Sequence, residues 1–148
     1  MGLLDGLFLA KDLIASGINA FKASERLEEL VGQSIDYYDG VLTEDNKALY
    51  AGYKTIKAKQ DAIENIDEQN AMTEDVEKAM VAFLVSVSAN SSVSEKFRSD
   101  VRTAIAEWQK SNDAPDDIFE KYMMKQAKTE EEREAVRQIM EEIAKDEE

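Results

Sequence analysis

The chain has 148 residues, the size of one domain with a substantial core, and its 32 acidic and 18 basic residues leave a net charge of −14. It has no cysteine and no histidine. Disulfides, thiolate nucleophiles, iron–sulfur ligation, cysteine-rich zinc sites, imidazole acid–base catalysis and haem-type ligation are therefore excluded. Only carboxylates, Ser, Thr, Lys and Tyr remain as catalytic groups, and no glycine-rich phosphate loop, nucleophile elbow or metalloprotease motif occurs. The expectation is a protein that is not an enzyme and takes no cofactor.

Residues 1–31 open with dense apolar character: Leu3, Leu4, Leu7, Phe8, Leu9, Leu13, Ile14, Ile18 and Phe21. Most share one helical face, although Leu9 and Leu13 fall off it. Lys11 and Asp12 make the run too short and too charged to span a bilayer. It lacks the basic start and small-residue cleavage site of a signal peptide. The opening Met-Gly suggests myristoylation, but Gly6 stands where that motif wants Ser or Thr. Three readings stand: a helix that closes the core, a helix that docks on a partner, and an in-plane membrane helix. Gly17 kinks this helix or ends it before a second one through Leu27 and Leu30.

Asp39-Gly40 signals a turn, and Thr43 with Glu44 and Asp45 signals a helix start. Asp36, Asp39, Glu44 and Asp45 are the weak candidates for a cation site. An EF-hand register fails, because with Gly40 at its sixth position the first, third and twelfth ligands become Ile35, Tyr37 and Asn46. A capped, solvated turn accounts for the same acids. The spacing predicts a helix over 44–66 with Leu49, Tyr53, Ile56, Ile63 and Ile66 inward and Tyr50 flanking. Lys54, Lys57 and Lys59 form the most basic patch, suited to pairing with the acidic ends of the chain. Asp67 to Ala71 reads as a polar linker.

Thr73 to Trp108 predicts a helical hairpin. Val76, Met80, Phe83, Leu84 and Val87 form one apolar stripe, and Phe97, Val101, Ala104, Ile105 and Trp108 form the other. The short loop between them brings the stripes face to face. Thr73 is placed to cap the first helix, and Ser92 with Glu95 fits a capping box for the second. The stretch SNDAPDD breaks the chain again, and Pro115 suits the first turn of a helix carrying Ile118, Phe119, Tyr122 and Met123 inward. Met124 adds a flexible apolar contact there. Thr129 with Glu132 is a further capping box, before a last helix carrying Val136, Ile139, Met140 and Ile143. Glu141 and Lys145 are spaced to pair at i,i+4. The fold class is all-α: residues 1–148 form a single-domain bundle of six or seven amphipathic helices around the central hairpin. Residues 1–31 are its apolar N-terminal segment and 144–148 a frayed acidic tail.

Two loops look alike: Asp39-Gly40-Val41-Leu42-Thr43 and Asn90-Ser91-Ser92-Val93-Ser94. Both resemble the Asp-Gly-x-aliphatic-Ser/Thr-x-x-Glu loop of tellurite-resistance TerB-like domains. The helix order from Val81 to Lys145, including PDDIFEKY and TEEEREAV, is also similar. The resemblance implies an acidic all-helical fold with metal-binding loops. The departures fall on the ligands that it implies. Asn46 replaces the final Glu of the first loop. In the second, Asn90 replaces Asp, Ser91 replaces Gly and Phe97 replaces Glu.

Nucleic acid and anionic membrane both attract Lys and Arg, so neither is the expected direct partner of so acidic a chain. A protein with a basic surface is. The acids expected to meet it are Asp113, Asp116, Asp117, Glu120, Glu130, Glu131 and Glu134. The leading expectation is a cytoplasmic, non-catalytic binding protein, such as an adaptor, immunity-type protein or inhibitor. The alternative is an acidic nucleic-acid mimic that blocks a nucleic-acid-binding protein, including a phage anti-defence protein. A carboxylate metal-binding TerB-like domain is the third reading. Homo-oligomer formation stays open.

Overall fold

The computed structural model of the protein describes residues 22–111 and 116–147. The apolar run over 1–21, Asp113 and Pro115 lie outside the described residues. Helix α1 covers residues 22–38 and leads into a 3-10 turn at Asp39–Val41. Then come α2 (Glu44–Ala62), α3 (Ile66–Ala71), α4 (Thr73–Ser88), α5 (Glu95–Ser111), α6 (Asp116–Gln126) and α7 (Glu130–Glu147). No strand occurs among the described residues. The protein is an all-α bundle.

Helix α4 is the hub. It packs against α2, α3, α5 and α7, while α5 and α6 both lean on α7. The predicted stripes are buried, with Val76, Met80, Phe83, Leu84 and Val87 facing a core that includes Val101, Ile105 and Trp108. The hairpin is therefore present, but α4 does more than face α5. Val81, Ala82, Val85, Ser86 and Ser88 are buried as well. Over Met80–Ser88 the helix carries only apolar and small residues, so no side of it needs water and neighbours close around it. Leu27, Leu30 and Val31 of α1 and Val136, Ile139 and Ile143 of α7 complete the core.

The caps explain several boundaries. Thr43 Oγ1 accepts from the Asn46 backbone N–H at 3.1 Å, and Asn46 Oδ1 accepts from the Thr43 N–H at 3.0 Å, a reciprocal capping box. Thr129 Oγ1 accepts from the Glu132 N–H as predicted, while Glu132 reaches back to the Lys128 N–H at 2.8 Å. Thr73 does not cap α4. It is the first helical residue, and its hydroxyl accepts from Gln60 at 3.2 Å, tying α4 to the end of α2. Ser94, rather than Ser92, caps α5 by accepting from the Phe97 N–H at 3.3 Å.

The helix expected over 44–66 stops at Ala62. Asn65 Oδ1 accepts from the Glu68 N–H and starts α3 where a linker was expected. Ile66 consequently begins a new helix and is 70% exposed instead of inward. Lys57 pairs with Asp61 of its own helix, and Lys54 sits 5.5 Å from the Tyr50 ring, so both find local partners rather than the acidic chain ends. Lys145 meets Glu142 at 3.8 Å instead of Glu141, and α7 stays helical through Glu147.

Candidate functional site

A cavity of about 480 Å³ opens where α3, the start of α4, the end of α5 and α6 converge. Phe119 and Met123 lie at its base beside Trp108, whose ring centroid is 6.1 Å from that of Phe119. Its accessible wall carries Asn70, Thr73, Glu74, Lys78 and Tyr122. Ile118 also lines it and is 59% exposed. The sequence placed Ile118 in the buried stripe of α6. Phe119 and Met123 take that role, and the helix turns Ile118 outward into the cleft.

Charge inside the cleft is specifically arranged. Trp108 Nε1 donates to Glu77 Oε2 at 2.6 Å, which holds this half-buried carboxylate in place. A hydrogen bond to a charged acceptor is among the stronger kinds. Among the described residues no cation pairs with Glu77. On the next residue, Lys78 Nζ lies 3.1 Å from Glu74 and 5.3 Å from the Tyr122 ring centroid. The pair and the cation–π contact are partly exposed, worth roughly 0.3–1 kcal/mol each. They are weak enough to be exchanged for contacts with an incoming group.

The predicted acids are scattered. Asp117 and Glu120 are exposed on α6, where they line a shallow depression of about 350 Å³ with Lys121 and Met124. Asp116 opens α6. Glu130 hydrogen-bonds Arg133 and Arg137, and Glu134 also meets Arg137, at 2.8 Å. The bond from Arg133, and then that from Arg137, holds the Glu130 carboxyl below the usual range, while Glu134 and Glu130 raise the Arg137 guanidinium. Glu131 is exposed beside this network. The acids of the cleft, Glu74 and Glu77, were missed as site residues. The readable signal was Trp108, the sole tryptophan, with Glu77 on a facing helix.

The two look-alike loops lie side by side. Leu42 and Val93 are buried at equivalent places, each followed by the hydroxyl residue that caps the next helix. Asn90 Nδ2 donates to Val41 O at 3.0 Å and to Asn46 Oδ1 at 2.9 Å, and Asn46 Nδ2 donates to Ser86 Oγ at 2.8 Å. Tyr38 joins them from α1, its hydroxyl 3.0 Å from Ser94 Oγ and its ring 5.0 Å from that of Phe97. The two amides that replace acids of the TerB-like pattern thus bond each other. Asp36 and Asp39 are exposed, and Glu44 and Asp45 occupy the positive first turn of α2. Among the described residues no three potential ligands gather to hold a metal ion.

Neither the family models, nor the curated proteins, nor the solved structures compared with this chain include a match. No helix among the described residues is long and apolar enough to cross a membrane.

Proposed function

We propose that the protein is a non-catalytic, cytoplasmic binding protein, of the adaptor, immunity or inhibitor kind, that engages a basic surface of another protein. One observation carries this reading: the cleft combines an apolar and aromatic base with the carboxylates Glu74 and Glu77. An apolar centre rimmed by polar groups is the anatomy of a protein interface. The net charge of −14 adds long-range attraction for a basic partner. Asp117 and Glu120 extend the acidic surface along α6.

The decoy reading draws on the same net charge and on exposed acids such as Glu131. Its support is thinner on α7, where Arg133 and Arg137 compensate Glu130 and Glu134. A metal-binding TerB-like role has still less support, since Asn46 and Asn90 are engaged with each other. The test is affinity capture from the native host, followed by binding of the purified partner at rising salt and with DNA or RNA as competitor. A basic partner released by salt and indifferent to nucleic acid is the expected result. Displacement by nucleic acid would favour the decoy, and a partner without basic surface would remove both readings.

A further inference from the structure

We infer that the α3–α4–α6 cleft is an arginine-binding site, seating one exposed arginine of the partner between Glu77 and Tyr122. This rests on the proposed engagement of a basic protein and names the chemistry of that contact. Three features point to a cation with an apolar stem. Glu77 is half-buried, fixed through one oxygen by the Trp108 indole, and without a cation partner among the described residues. A planar guanidinium matches a fixed carboxylate better than an ammonium does, and it also stacks on an aromatic face. Lys78 already shows that the site holds cations, since its ammonium rests on Glu74 and the Tyr122 ring. Ile118, 59% exposed at the same opening, offers an apolar surface for the side-chain stem. Lys78 itself lines the cavity, so its volume of about 480 Å³ is space left with that side chain in place. An arriving arginine takes over the ring, and Lys78 stays with Glu74 or swings to solvent.

Trp108 is the only tryptophan, so its fluorescence and its indole N–H resonance report on this cleft specifically. The intact protein is titrated with N-acetyl-arginine methylamide, with the citrulline and leucine analogues as neutral and apolar controls. Saturable change at the Trp108 indole with arginine alone is expected. Glu77→Gln retains an acceptor for the indole but loses the charge, and should weaken binding about tenfold. Lys78→Met removes the resident cation and should tighten it about two- to fivefold. An equal response to citrulline or leucine would overturn the assignment, as would Glu77→Gln binding arginine normally. If the arginine probe fails while the captured partner still binds in a salt-dependent way, the cleft assignment falls and the broader function stands. If the partner's binding is independent of salt, the broader reading falls instead.

Discussion

Asn46→Ala should destabilise the fold by about 3 kcal/mol, because one buried amide joins the start of α2, helix α4 and the second loop. Asn46 is 1% exposed. It donates to Ser86 of α4, accepts from Asn90 in the second loop, and accepts from the Thr43 N–H that closes the capping box of α2. Three hydrogen bonds disappear together, each worth about 1 kcal/mol net. The damage is bounded by what remains. Ser86 still donates to the Phe83 carbonyl at 2.6 Å, and Asn90 still donates to Val41 O. The Thr43 N–H is left without that acceptor. Ser34→Ala is the control, since Ser34 is equally buried but bonds only the Leu30 carbonyl one turn back in its own helix. Its loss should cost about 1 kcal/mol or less. Urea unfolding of both variants, at constant m-value, gives the comparison. An Asn46→Ala loss below about 1 kcal/mol, or one equal to that of Ser34→Ala, would refute the network's structural role.

Phe83 is fully buried, with its ring 5.5 Å from that of Tyr50, so Phe83→Ala should cost about 3–5 kcal/mol by chemical denaturation, and a loss near zero would misplace the core. Glu130 has a carboxyl depressed by Arg133 and Arg137 in the folded state, so its contribution is present above the ordinary carboxylate range and is lost as pH falls through the depressed value. Thermal melts should therefore show wild type above Glu130→Gln at neutral pH and the gap closing in acid; a gap that widens in acid would contradict the sign. Calorimetric titration with calcium should show no strong binding, and micromolar affinity abolished by Asp39→Ala would revive the metal-binding reading.

Helical periodicity made the fold class legible, because Val76 to Val87 and Phe97 to Trp108 repeat at steps that only a helix turns into a face. It failed at Ile66 and Ile118, where an apolar residue matched a stripe but a helix break or a neighbouring, better-placed ring displaced it. Caps were legible where the side chain had no competing partner, as at Thr43 and Thr129. Thr73 was misread because Gln60, distant in sequence, draws on its hydroxyl. The cleft is only hinted at by the sole tryptophan on a facing helix, because Glu77 and Trp108 stand 31 residues apart and meet only through packing. The acids most conspicuous in sequence, such as Glu130, are partly neutralised by arginines on their own helix.

Charge reversal in two places distinguishes partner binding at the cleft from binding on α7. Affinity for the captured partner is measured for Glu74→Lys/Glu77→Lys in the cleft and for Glu131→Lys on the exposed face of α7, after circular dichroism confirms that both variants fold. The cleft reversal should abolish binding and the α7 reversal should change it little. Intact binding by the cleft variant, with loss in the α7 variant, would show that the partner meets the acidic face of α7 and not the cleft.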